Sequence, residues 1–128
     1  MSSTITPEEI QANLDRFNGS DTFTAWSPLF RNSVLTDGAL YVAENCGAYW
    51  LMDAIASYKH DPVFRKQDFQ VWKLDRNGSG WQLTAEDGNE NVLARQSIEY
   101  SDFPLNGVEI WAIRNELGGL TLMLPSEY

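Results

Sequence analysis

The chain has 128 residues, with 18 Asp and Glu against 9 Lys and Arg, so its formal net charge is −9. That length suits one hydrophobic core and would starve two, so a single domain over residues 1–128 is expected. So negative a chain excludes a binder that tracks nucleic-acid phosphates, and the single cysteine, Cys46, excludes an internal disulfide or a four-cysteine metal site.

Residues 1–7 carry no basic stretch followed by an apolar one, so no signal peptide is expected. The first helix starts there instead. Thr6 is a natural N-cap, Pro7 suits the first helical position, and Glu8 and Glu9 sit where the helix dipole favours negative charge. Ile10, Leu14 and Phe17 give it a narrow apolar stripe, and Asn18-Gly19-Ser20 ends it. Residues 21–35, around Pro28, read as irregular or short-helical packing. A second helix is predicted from the Thr36 cap, running to Gly47 as a C-cap or kink.

The run from Ala48 to Tyr58 follows as a helix apolar around most of its circumference, closed by Asp61-Pro62. Its apolar stretch is too short for a membrane span, which needs roughly twenty residues. The chain is therefore expected to stay in the cytoplasm, with neither membrane nor nucleic acid among its partners.

After residue 66 the period changes from helical to alternating. Trp72 and Leu74 share one face of a strand over 69–75, Arg76 to Gly80 reads as a turn, and Trp81, Leu83 and Ala85 alternate again. Strands at about 92–100, 108–115 and 119–124 complete the set. The expectation is an α+β fold: a helical part (about 1–66) packed on one face of a C-terminal antiparallel β-meander of about five strands (about 67–128). Residues 1–67 hold 8 acids and 5 bases, and residues 68–128 hold 10 acids and 4 bases, so the negative charge leans towards the sheet.

Few residues point to chemistry. Asp75, Asn77, Ser79-Gly80 and Glu86 approach the spacing of a calcium loop, but the flanks alternate as strands, so a hairpin turn is expected. His60 is the only histidine and suits a helix C-terminus. Cys46 has no neighbouring base and reads as a structural thiol. Neither a catalytic set nor a metal or cofactor site is expected. Asp53 interrupts an apolar helix, and a carboxylate buried there would need Tyr49, Ser57 or an arginine as partner. Tyr49, Trp50 and Asp53 are thus candidates for a small-ligand pocket between helix and sheet. On the fourth predicted strand, Ile110 and Ala112 alternate with Trp111 and Ile113, so both faces are apolar. Either both are covered, or Trp111 marks a patch for a partner protein or a second copy of the chain.

The blocks Thr36-Asp37-Gly38, Gly47-Ala48-Tyr49-Trp50-Leu51, Asp53 to Tyr58, Phe69 to Leu74, Glu86 to Asn89, Asp102 to Leu105 and Leu124 to Tyr128 resemble a family of small bacterial proteins, a domain of unknown function. The resemblance spans about residues 30–128, implies an association with mobile elements, and brings no activity, cofactor or catalytic residue with it. The expected role is a non-enzymatic protein-interaction module, such as an accessory factor of a mobile element. The alternative is a small ligand-binding domain or enzyme with its pocket near Tyr49, Trp50 and Asp53.

Overall fold

A computed structural model of the protein describes residues 6–19, 22–58, 61–99 and 101–128. His60, Ser20 and residues 1–5, on which part of the sequence reading rests, lie outside the described residues.

The helices begin where their caps predict. Helix α1 (Pro7–Leu14) opens on a reciprocal capping box: Glu9 N–H donates to Thr6 Oγ1 at 3.2 Å, and Thr6 N–H donates to Glu9 Oε1 at 3.0 Å. It stops at Leu14, short of Phe17, whose ring packs on Tyr41 at 5.4 Å from beyond the helix. Helix α2 (Asp37–Asn45) is capped by Thr36, whose Oγ1 accepts from Ala39 N–H at 3.3 Å. Gly47, at φ +59°, turns the chain so that Ala48 N–H reaches the Ala43 carbonyl at 2.9 Å. This is the glycine stop that satisfies orphan carbonyls, and it separates α2 from helix α3 (Tyr49–Ser57) instead of kinking one helix.

Two sequence readings need correction in this half. Asp61-Pro62 does not close α3, which ends at Ser57; it opens a short helix, α4 (Pro62–Arg65), with Asp61 Oδ1 accepting from Val63 N–H at 2.9 Å. Asp before Pro stops one helix and starts another with the same chemistry. Residues 21–35 also hold more than short-helical packing: a 3-10 turn at Pro28–Phe30 is followed by a strand, β1 (Val34–Leu35).

The remaining strands are β2 (Phe69–Asn77), β3 (Gly80–Glu86), β4 (Val92–Ile98), β5 (Gly107–Arg114) and β6 (Leu120–Met123). The α+β architecture, helices before strands, is as expected, but the sheet has six strands in the order β1-β6-β5-β2-β3-β4. β1 runs parallel to β6 and every other pair is antiparallel. The meander is thus interrupted: β2-β3-β4 is one hairpin ladder, β5-β6 another, and β5 joins them by pairing with β2. β2 and β5 are central strands: Trp72, Leu74, Ile110 and Ala112 on their helix side are in the core, while Phe69, Val71, Trp111 and Ile113 lie on the opposite face.

One face of the sheet carries the core. Trp72 and Leu74 of β2, Leu83 and Ala85 of β3, Ile110 and Ala112 of β5 and Leu122 of β6 are buried in one cluster with Val42, Leu51, Met52 and Ile55 of the helices. The turn at Asn77–Gly80 is a tight hairpin in which Gly78 supplies φ +63°, and Glu86 lies far up β3, where it pairs with Lys73 at 3.4 Å. The segment with calcium-like spacing is therefore a hairpin and its two ends diverge. Among the described residues no helix is long and apolar enough to cross a membrane.

After β6 a 3-10 turn, Pro125–Glu127, folds back over the N-terminus of α2. The buried Glu127 carboxylate accepts from Thr36 Oγ1 at 2.7 Å, Gly38 N–H at 2.9 Å and Leu124 N–H at 2.9 Å. It meets the helix end where unsatisfied N–H groups and the helix dipole both favour an anion. Gly38 is required there, because a Cβ would run into that carboxylate.

Cys46 caps α2 and is buried, and desolvation pushes its thiol from an ordinary 9.0 up to about 11. The folded chain is expected to resist iodoacetamide at mildly alkaline pH and to react completely once unfolded in urea. The raised value also fixes a sign. Below 9.0 the thiol is neutral in both states and its contribution is intact; that contribution is lost as pH rises towards about 11, because only the unfolded chain ionises.

Candidate functional site

The face of the sheet opposite the helices is built from β2, β5 and β6. Cross-strand register places Val71 beside Trp111, Phe69 beside Ile113, and Trp111 beside Met123. Val71 is buried, whereas Phe69, Trp111, Ile113 and Met123 are half-buried. Tyr128, at the end of the fold-back turn, is 79% exposed and lies against this face. Its ring is 5.3 Å from Trp111 and 6.2 Å from Phe69, and Phe69 and Trp111 meet edge-on at 5.0 Å. Edge-to-face arrangements suit the ring quadrupoles, so the three aromatics hold one another in place.

Polar groups fix the orientation of this cluster. Trp111 Nε1–H donates to Glu109 Oε2 at 2.7 Å, two residues back on the same face of β5. The loop after β3 closes on Phe69 through Gly88, at φ +89°, where a Cβ would come within 2.8 Å of the ring. That loop is held by Asp87, which accepts from Asn89 and Asn91 N–H at 2.8 and 3.2 Å and from Asn91 Nδ2 at 2.9 Å. These bonds, the Asn91 side chain first, keep the Asp87 carboxyl below its ordinary range.

The other candidates lie on α3, on the far side of the sheet. Tyr49, Asp53 and Ser57 recur every fourth residue and form the exposed stripe of that helix, while Leu51, Met52, Ile55 and Ala56 face the core. Asp53 is exposed, and its partner is not Tyr49, Ser57 or an arginine but Trp26, whose Nε1–H donates to Asp53 Oδ1 at 2.9 Å. Partial burial, with the Glu44 charge second, raises the Tyr49 phenol above its usual range. Trp50, half-buried, walls a cavity of about 240 Å³ with Ile98, Ser101 and Asp102, and neither Tyr49 nor Asp53 lines it. The structure thus separates Trp111 from the α3 trio and divides the trio itself.

The sequence reading picked out Trp111 and missed its aromatic companions. Phe69 shares the strand parity of Val71, which was a usable signal. Tyr128 had none, because its contact with Trp111 depends on how the chain folds back after β6.

A model of a family of unknown function (DUF6876) matches residues 8–128. No curated protein and no solved structure matches the chain.

Proposed function

The chain belongs to this family of unknown function, and we propose that it works as a protein-interaction module whose docking surface is the open sheet face centred on Trp111. The observation that carries this reading is the aromatic cluster of Phe69, Trp111 and Tyr128 on the sheet face opposite the core, where among the described residues Trp111 stays half-buried and Tyr128 exposed. A half-buried Trp and an exposed Tyr braced against each other offer large apolar contact at little cost in side-chain entropy, which is what binding anchors need.

Charge narrows the partner. Lys73 on this face is neutralised by Glu86, while Glu109 and Asp75 share the face in a chain of net charge −9. The complementary surface is a protein with an apolar centre and a basic rim, drawn in by the negative field. An accessory factor of a mobile element that engages a basic protein is one role of this kind. A cytoplasmic setting agrees with the free, buried Cys46.

The test uses the wild-type chain and Trp111→Ala as paired baits in extracts of the source cell. A partner retained by the wild type should bind the variant about thirtyfold more weakly, and raised salt should slow its association. Equal capture by both baits would remove the proposal. A concentration-dependent dimer that Trp111→Ala dissolves would instead put a second copy of the chain on this face.

A further inference from the structure

A second site lies on the helix side of the sheet, away from Trp111 and independent of the docking proposal. We infer that the cavity of about 370 Å³ between α4, the start of β2 and the β5–β6 turn binds the oxyanion of a small organic anion.

Gln70 is the first reason. It sits on β2 in line with Trp72 and Leu74, only 2% exposed, a polar residue in an otherwise apolar stripe. Its Oε1 accepts from Trp72 Nε1–H at 2.9 Å. An indole N–H can only donate, so the chemistry fixes which end of the amide faces Trp72 and turns the NH2 group away. Among the described residues that NH2 has no hydrogen-bond partner, and no buried side-chain polar atom is sealed off without one. The NH2 therefore opens on the cavity that Gln70 lines.

Two arginines supply charge at the same cavity. Arg114 is pinned: Nε pairs with Asp68 Oδ1 at 3.0 Å, and Nη2 donates to the carbonyls of Arg65 and Gln67. Those bonds leave the Nη1 donors uncommitted. The Arg65 guanidinium, at the end of α4, has no partner among the described residues. The free side-chain polar groups at this cavity are thus donors, and while Asp68 offsets the charge of Arg114, that of Arg65 is not offset by a paired carboxylate among the described residues. Phe64 and Leu120 supply apolar wall. Donors on one side and apolar wall on the other fit a ring or short chain bearing a carboxylate or a phosphate monoester, and the volume suits a small molecule.

Calorimetric titration of the full chain with benzoate, phenyl phosphate and inorganic phosphate tests this, with benzylamine as the ligand of opposite charge. Benzoate or phenyl phosphate should bind saturably, and whichever binds tighter identifies the source of the oxyanion. Gln70→Glu keeps an acceptor for Trp72 and replaces the NH2 by carboxylate oxygen, so affinity should fall at least about tenfold. Arg65→Gln, at an exposed position, should cost about the same, and Trp111→Ala should leave the affinity unchanged. If Gln70→Glu does not fold, Arg65→Gln decides. The inference is overturned if neither organic anion saturates, if both folded variants bind undiminished, if inorganic phosphate binds as tightly as the organic anions, or if benzylamine binds better.

Discussion

Glu127→Ala is expected to lower the unfolding free energy by about 3 kcal/mol, a large share of the roughly 5–15 kcal/mol a domain of this kind holds. Glu127 is 8% exposed, and its carboxylate ties three donors: the Thr36 hydroxyl, Gly38 N–H and Leu124 N–H. Removing it strands these groups in a buried pocket and withdraws a negative charge from the N-terminus of α2, so a desolvation penalty adds to the lost bonds. Glu127→Gln should recover about half, because the amide keeps one acceptor oxygen but turns an NH2 towards a donor. Urea unfolding followed by circular dichroism is the measurement, with the midpoint moving and the slope held. If Glu127→Ala melts like the wild type, the fold-back turn is an ornament and not a clasp.

The second large effect belongs to Trp72. Its indole is 2% exposed, with Phe64 nearly parallel at 5.6 Å and Tyr58 at 5.2 Å. Trp72→Ala should cost about 4 kcal/mol, the sum of lost burial and the cavity left behind. Trp72→Phe keeps most of the ring contact but deprives Gln70 Oε1 of its donor, so about 1–2 kcal/mol should be lost through one unpaired acceptor. It also frees the Gln70 amide to flip, so organic-anion binding should weaken in a variant that still folds. A Trp72→Phe chain that lost stability but bound benzoate as before would show that the indole does not set the amide.

The caps at Thr6 and Thr36 and the alternation of Trp72 with Leu74 were legible because they are local: each needs only residues within a few positions. The exposure of Asp53 was legible in part. Tyr49, Asp53 and Ser57 at four-residue intervals already drew a solvent stripe on α3, but the apolar residues between them dominated the pattern. β1 could not be found, since two residues show no periodicity and their partners, Thr121 and Leu122, lie more than eighty positions away. The strand order was hidden for a similar reason. That Ile110 to Ile113 are apolar on both faces marks a central strand, but nothing local says that its neighbour is β2 and not β4. The Trp111 site was half visible as a result: its strand could be read, and Tyr128 arrives through a fold-back that no period encodes.

The pairing of β1 with β6 also sets a clock on synthesis. Thr36 and Glu127 are 91 residues apart, so the clasp on α2 cannot form until nearly the whole described chain exists. At ~5–20 residues per second the interval is on the order of 5–20 s, whereas helices form within about a microsecond. Until β5 and β6 are made, α2 and α3 can pack Val42, Leu51 and Ile55 only against the β2-β3-β4 ladder, an incomplete sheet. A ribosome-associated chaperone would therefore meet a half-covered core, which Ile110, Ala112 and Leu122 complete and the Thr36–Glu127 clasp then closes.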